Sequence, residues 1–155
     1  MLRFLKIDFE KDIEKCVEFR RDSYVASFPD SDEWQNYWNE DSYRLSIVSH
    51  ADKFPDGLWH IWLKDQLIGQ LEFTYSENHG HVNLFYLRPE NRGTGVSSLV
   101  HSFVLEALRS KACKTATLRV TPMNIRARRY YEKLGWIDKG IDSNYNYVHL
   151  YSINL

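Results

Sequence analysis

The sequence lacks the residue patterns that mark several classes of protein. Its two cysteines, Cys16 and Cys113, lie far apart and form no C-x-x-C pair, so neither a disulfide scaffold nor a structural zinc site is indicated. The six histidines show no H-x-x-x-H or H-E-x-x-H spacing, and we therefore expect no metal site. No apolar run approaches the roughly 18 residues of a membrane span, and charges interrupt the apolar start too early for a signal peptide. We expect a cytoplasmic globular domain with no membrane partner.

The chain also lacks a strong net charge, but its charges are segregated. Its 155 residues predict a single domain over residues 1–155, and the formal net charge of −1 argues against bulk electrostatic binding of nucleic acid. Residues 22–57 carry eight acids and two bases, whereas residues 88–139 carry eleven bases and four acids. This segregation indicates either an anionic ligand at one surface and a cationic ligand at another, or only solvated faces.

Hydrophobic periodicity predicts a mixed α/β domain without an internal repeat. An antiparallel meander of three strands lies in the middle of the chain, and a helix, a strand, a second helix and two closing strands follow it. Residues 23–57 are the least regular stretch, and we expect helical turns among their many aromatic residues, with ends that the pattern does not define. The predicted strands cover residues 2–9, 58–63, 67–75, 81–87 and 115–120, with two more near 136–137 and 145–153. The predicted helices begin at or just after Asp8, at Val96 and at Asn124.

The most informative stretch runs from Leu87 to Leu99, where a strand leads through a glycine-containing loop directly into a helix. Free N–H groups and the macrodipole make the start of a helix an anion site. Gly93 and Gly95 permit positive φ and a close approach of the backbone to a phosphate, and arginines at 88 and 92 add positive charge. A tight strand-to-helix turn would explain the same residues without any ligand.

Two common phosphate-binding motifs do not fit this loop. A Walker loop would continue with Gly-Lys-Ser/Thr, which is missing here. A Rossmann loop would have a third glycine or alanine at position 98, where Ser98 stands, and would follow an early parallel unit rather than three antiparallel strands.

A second stretch, from Asn124 to Trp136, follows a strand and has the pattern of a helix stopped by a glycine. Together the two stretches resemble the GCN5-related N-acetyltransferase (GNAT) superfamily. The loop pattern Q/R-x-x-G-x-G/A is met at Arg92 and Gly95, with Ser97 in the place of the final small residue, and Leu87-Arg88-Pro89 supplies the preceding apolar-x-Pro. The later pattern N-x-x-A-x-x-x-Y-x-x-x-G-F/W is met at Asn124, Ala127, Tyr131, Gly135 and Trp136.

The resemblance implies a fold and an activity. The family fold is a mixed central sheet of about six or seven strands flanked by about four helices. The implied activity is an N-acetyltransferase that uses acetyl-CoA as acyl-donor cosubstrate and transfers the acetyl group to a primary amine by direct attack in a ternary complex. Homodimers are common in this family.

The resemblance also implies roles for single residues. The backbone of Phe85 and Leu87 would bond pantetheine, because this strand is typically splayed from the next one. Asn124 caps the helix and would also reach the cofactor, and Tyr131 would lie near the sulfur and protonate the leaving thiolate. The loop that holds the pyrophosphate through backbone N–H groups comprises Arg92, Gly93, Thr94, Gly95, Val96, Ser97 and Ser98.

The sequence leaves the proton acceptor and the amine open. Glu72, in the middle strand of the meander, is the first candidate for the general base, with His81 and Glu77 as weaker ones, and some members of the family use only water. Acids and aromatic residues in 23–57, such as Trp34 and Trp38, would attract and pack a small cationic amine. A polyamine-like molecule or an amino sugar would fit this pattern, and a protein N-terminus or lysine is a further alternative.

Two readings of other classes remain. A catalytically inactive acyl-CoA-binding regulatory module would keep the loop but would need neither Tyr131 nor a base. A nucleic-acid binder would use Arg126, Arg128 and Arg129, but the phosphates of CoA explain these bases better, so we expect no nucleic-acid partner.

Overall fold

Seven strands and four helices make up the computed structural model, which describes all 155 residues. The strands are β1 (Leu2–Lys6), β2 (Leu58–Leu63), β3 (Gln66–Ser76), β4 (His79–Leu87), β5 (Thr115–Val120), β6 (Ile137–Ile141) and β7 (His149–Asn154). The helices are α1 (Phe9–Ser27), α2 (Glu40–Lys53), α3 (Val96–Ser110) and α4 (Ile125–Lys133), with short 3-10 helices at Glu33–Asn36 and Pro89–Asn91. The element count confirms the expected fold class.

All strands belong to one sheet in the order β1-β2-β3-β4-β5-β7-β6. Every neighbouring pair is antiparallel except β4 and β5, which run parallel and pair only from His79 to Val82 on β4. Beyond Val82 the two strands separate and leave a wedge-shaped gap in the middle of the sheet, which we call the fork. The fork is the one place where the central strands of this sheet leave backbone groups without a neighbouring strand.

Helices cover both faces of the sheet. Apolar residues of α3 pack with Leu71, Phe73 and Val82 in the larger core, whereas Tyr43 and Ile47 of α2 pack with α1 in a second cluster on the other face. None of the four helices combines the length and the apolar composition that a membrane-spanning helix needs.

The helical turns expected within residues 23–57 are the last turn of α1, a 3-10 helix and the regular helix α2, whose ends the sequence did not define. Leu45 and Val48 of α2 are 76% and 62% exposed, while Tyr43 and Ile47 are buried. Apolar side chains therefore lie on both sides of this helix, and the one-sided periodicity that identifies an amphipathic helix is lost.

Candidate active site

The loop between β4 and α3 has the backbone geometry expected of a phosphate cradle. Gly93 and Gly95 have φ values of 71° and 90°, in the left-handed region that favours glycine. Gly95 is the N-cap of α3 and supplies no side-chain cap. A Cβ atom on Gly95 would meet no protein atom within 4 Å, so the space beside this residue is open to a ligand.

The start of α3 leaves an unusual number of hydrogen-bond donors without partners. The hydroxyls of Thr94 and Ser98 do not cap the helix, since they donate to the carbonyl oxygens of Asn91 and Gly95. In α2, by contrast, Asn39 accepts the N–H groups of two residues in the first turn. A polyanion with several oxygens, such as a pyrophosphate, fits a row of free donors of this kind. In the loop and the first turn of α3, six consecutive backbone N–H groups donate no hydrogen bond within the protein: those of Gly93, Thr94, Gly95, Val96, Ser97 and Ser98.

One positive charge beside the loop comes from an arginine of α4 that the sequence analysis attributed to the phosphates of CoA but did not place at this loop. Arg126, in the first turn of α4, places a guanidinium nitrogen 3.6 Å from the position of a Cβ on Gly93. Arg92 and Arg88 instead donate from Nε to backbone carbonyls of neighbouring strands, each at 2.8 Å. Only the folded chain brings the start of α4 beside the loop, so local sequence carries no signal for this contact.

The fork exposes backbone groups of β4. The N–H of Arg88 donates to Ile68 on β3, so the alternation of the strand directs the N–H and C=O groups of Leu87 and Phe85 away from β3 and into the fork. The carbonyl of Leu87 already accepts a hydrogen bond from Arg92, whereas both backbone groups of Phe85 have no partner there. Phe85 thus offers a donor and an acceptor to an extended ligand, and Leu87 offers only its N–H.

Tyr131 lies on α4 beside the fork. Its ring packs edge-on against Phe85, with centroids 6.2 Å apart, and against Trp136 at 5.9 Å. Burial raises the pKa of Tyr131, so its phenol stays protonated at neutral pH and can act as a proton donor. Its hydroxyl makes no hydrogen bond within the protein and is not fully enclosed.

The neighbouring Tyr130 differs from Tyr131 in its hydroxyl. The Tyr130 hydroxyl is fully buried and has no hydrogen-bond partner. Burial raises its pKa, and the nearby hydroxyl of Ser97 counteracts that rise, although the two groups do not meet hydrogen-bond geometry. The two adjacent tyrosines therefore form a natural pair for comparison.

Asn124 is the N-cap of α4. Its side-chain oxygen accepts the N–H of Ala127 at 3.2 Å, and its carbonyl accepts the N–H of Arg128. Capping accounts for the oxygen of this side chain, while its amide nitrogen makes no hydrogen bond and stays available to a ligand.

Glu72 is buried, because helices cover both faces of β3 and this side chain lies under α2. Its Oε2 accepts hydrogen bonds from the Tyr43 hydroxyl at 2.6 Å and from the Gln70 amide at 2.7 Å. Gln70 continues the network by accepting from His60 at 2.8 Å. The other oxygen, Oε1, has no partner and is not fully enclosed. Glu72 pairs in register with Leu84, so it lies one strand away from the fork.

Comparisons with known proteins agree with this geometry. The family model described as the acetyltransferase (GNAT) family matches residues 13–136. The chain belongs to the GNAT acetyltransferase family. It is therefore an N-acetyltransferase, and acetyl-CoA is its acyl donor; the free donors of residues 93–98 and the open backbone of Phe85 fit such a molecule.

Solved structures share the fold of this GNAT protein at low sequence identity. The PaiA N-acetyltransferase of Thermoplasma acidophilum, solved with coenzyme A, has a TM-score of 0.78 at 16% identity, with 100% of this chain and 99% of that chain covered. Ard1 of Thermoplasma volcanium has a TM-score of 0.76 at 17% identity over 99% and 97% of the two chains. The spermidine N-acetyltransferase of Vibrio cholerae, solved with CoA and spermine, has a TM-score of 0.69 at 16% identity over 99% and 95%. No curated protein sequence is significantly similar to this chain.

The face of the fork opposite α3 and α4 carries a bulge in β4. Asn83 is an extra residue in β4, opposite no residue of β3, and its side chain is exposed although the strand is central. Arg20 of α1 donates to the Asn83 carbonyl at 2.7 Å and thereby holds the bulge. Stacked rings line this side, with Tyr37 and Tyr147 only 3.9 Å apart.

Some of the residues expected to bind a cationic amine already have partners within the protein. Trp38 packs on Tyr24 and on Tyr43, with centroids 5.5 and 5.7 Å apart, so it covers the Tyr43–Glu72 pair. Trp34 lies in the 3-10 helix and packs against no other ring. Among the acids of residues 22–57, Asp56 is paired with two lysines, Lys6 and Lys111.

A hydrogen-bond chain with defined proton positions runs along β4 and β5. A guanidinium can only donate, so the 3.0 Å contact of Arg119 Nη1 with His81 means that Nε2 accepts and Nδ1 carries the proton. Nδ1 then donates to Thr117 Oγ1 at 2.7 Å. Burial, with Arg119 and His79 nearby, lowers the pKa of His81 to about 4, so this histidine is neutral at physiological pH.

This neutral histidine predicts a pH-dependent stability. Unfolded His81 binds a proton below pH 6.5, whereas the folded protein resists protonation down to about pH 4, so its contribution is complete above pH 6.5 and is lost as the pH falls. We expect His81 to account for about 2 kcal/mol of lost unfolding free energy between pH 7 and pH 5. Urea unfolding of the wild type and His81→Asn, which keeps a donor near Nδ1, measures this difference. An identical pH dependence in both proteins would contradict it.

Proposed function

We propose that this protein transfers the acetyl group of acetyl-CoA to a primary amine by direct attack while both substrates are bound, and that it does so in the cytoplasm. The observation that carries the proposal is the fork, where β4 and β5 stop pairing beyond Val82 and leave backbone groups of β4 without a strand partner. The free N–H groups of residues 93–98 and the backbone of Phe85 serve the donor from one side. The bulge at Asn83 and the aromatic rings lie on the other side, where an amine can reach the thioester directly.

Tyr131 is the proposed general acid. Attack of the amine nitrogen on the thioester carbon breaks the carbon–sulfur bond, and the departing sulfur takes a proton. The buried phenol beside Phe85 remains protonated at neutral pH and supplies that proton. Free CoA leaves, and the phenolate regains its proton from water.

Glu72 is the proposed general base, acting through water. An ammonium group has no lone pair, so the acceptor must lose a proton before it attacks. The carboxylate is oriented by Tyr43 and Gln70 at one oxygen, and its other oxygen is free to contact water. Because Glu72 lies one strand from the fork, a water molecule must connect it to the amine.

Calorimetric titration with acetyl-CoA and CoA, together with thiol release over a panel of amines, tests the proposed function. We expect binding of both CoA species and amine-dependent release of thiol. Binding without turnover on any amine would instead favour a regulatory acyl-CoA-binding module. Absence of binding would contradict the whole assignment.

Replacing Glu72 by glutamine tests the base. We expect kcat at pH 7 to fall about tenfold or more and to recover as the pH rises, because more of the amine is then already deprotonated. The control is Tyr43→Phe, which removes a hydrogen bond to the carboxylate but keeps its charge. A lower melting temperature of Glu72→Gln with an unchanged pH–rate profile would mean that Glu72 is only structural.

A further inference from the structure

The acceptor face of the fork carries fixed positive charge. Arg119 is the residue of β5 that follows Leu118, the last one paired with β4. Leu118 and Val120 face the core on the α3 side, so the alternation of the strand places Arg119 on the acceptor face. Arg20 approaches the same point from α1, and the two arginines both lie near enough to His81 to lower its pKa.

Two partners hold the Arg119 guanidinium in place. Its Nε donates to Asp142 at 3.0 Å and its Nη1 donates to His81 at 3.0 Å. Tyr145 lies 4.7 Å from the guanidinium carbon and supports its plane. Nη2 makes no hydrogen bond within the protein, and the side chain is 33% exposed. A fixed guanidinium with a free edge is well suited to bind a carboxylate or a phosphate, because little side-chain entropy is lost on binding.

The contact with Asp142 leaves the free edge of the Arg119 guanidinium available to a ligand. Asp142 is buried, and its Oδ1 accepts the backbone N–H groups of Asn144 and Tyr145. These two backbone bonds stabilise the carboxylate independently, and they lower the pKa of Asp142 together with Arg119. Arg20 lies close by and makes its only side-chain hydrogen bond to a neutral carbonyl, so Asp142 does not neutralise both arginines.

We propose that Arg119 binds an anionic group of the acceptor, so that the substrate is an amine that also carries a carboxylate or a phosphate, as in an amino acid. The inference rests on the proposed amine acetylation and specifies its substrate class. The amine lies at the fork, the anion contacts Nη2, and the carbon skeleton packs against Tyr145 and Tyr147. A polyamine would place positive charge against two arginines, which is unfavourable at this position.

Thiol release from acetyl-CoA with matched amines tests this assignment in the wild type. Phenylalanine is compared with phenylalaninamide and phenethylamine, phosphoethanolamine with ethanolamine, and spermidine is included. We expect kcat/KM at least tenfold higher for an anionic member than for its uncharged match. The amino group of phenylalaninamide has a lower pKa than that of phenylalanine, so more of the amide is present as free amine. A preference for phenylalanine over phenylalaninamide therefore cannot arise from amine protonation.

Variants of Arg119 connect the preference to this residue. We expect Arg119→Met to raise KM for the anionic amine at least tenfold, with kcat and the acetyl-CoA dissociation constant within about twofold of the wild type and the uncharged amines unaffected. Arg119→Lys keeps the charge but loses the planar set of guanidinium donors. Its KM for the anionic amine should lie between those of the wild type and Arg119→Met. Arg109→Met removes an exposed arginine at the far end of α3 as the matched control. Melting temperatures reveal any variant that is unstable because Asp142 has lost its partner.

The outcomes separate this inference from the function on which it rests. A preference for the carboxylate or for the phosphate that disappears in Arg119→Met supports the assignment and names the anion. A preference for spermidine, or an equal loss on all amines, overturns it while leaving amine acetylation intact. Acetyl-CoA binding without any turnover overturns the proposed function; calorimetry of phenylalanine and phosphoethanolamine with the CoA complex then decides, since failure of both to bind overturns the inference as well.

Discussion

Gly95→Val will raise the dissociation constant for acetyl-CoA at least a hundredfold. Gly95 has a φ of 90°, which a β-branched residue adopts only at a cost of about 1–3 kcal/mol. Relief of this strain turns the free N–H groups of the loop away from a common point, and the two methyl groups fill the open space where an anion would lie. A hundredfold loss corresponds to about 2.8 kcal/mol of binding free energy. Calorimetric titration with acetyl-CoA measures it.

The chain offers a matched control for this substitution. Gly140, in β6, also has a φ of 90°, and a Cβ there would also meet no atom within 4 Å. Gly140→Val therefore also places a β-branched residue at a positive φ, but in β6 instead of in the loop. Both variants should lose similar unfolding free energy, but only Gly95→Val should lose acetyl-CoA binding. Equal affinities in the two variants would mean that the cradle does not hold the donor.

The cofactor side of the site could be predicted from the sequence because its determinants are local. Positive φ at Gly93 and Gly95, the free N–H groups that follow, and the cap at Asn124 all depend on residues within a few positions of each other. Such features can be recognised in the sequence from the spacing of the residues in each motif. Arg126 is different, because it reaches the loop only when α4 packs beside α3.

The proposed acceptor side could not be predicted in this way, because the residues proposed to form it come from distant segments. The bulge at Asn83 arises from the register between β3 and β4, and Arg20 reaches it from α1. The contact of Arg119 with His81 depends on where β5 leaves β4. Local sequence therefore carries no signal for the approach of Arg20 and Arg119 to the fork.

Tyr131→Phe will lower kcat about a hundredfold while leaving the acetyl-CoA dissociation constant within about twofold. The substitution removes only the hydroxyl, which makes no hydrogen bond within the protein, and keeps the ring contacts with Phe85 and Trp136. Binding and folding should therefore be preserved. Loss of a positioned proton donor typically reduces the rate by a factor of about 100 to 10,000. Steady-state thiol release and calorimetric titration separate the two quantities.

Tyr130→Phe is the control, because it makes the same chemical change one residue away. The Tyr130 hydroxyl is buried without a partner, so its removal should leave kcat within about twofold and stabilise the fold or leave its stability unchanged. If both variants lost the same activity, the effect would come from repacking of α4 rather than from proton transfer. If Tyr131→Phe kept full activity, the leaving sulfur would take its proton from water, and Tyr131 would serve only to pack the inner wall of the fork.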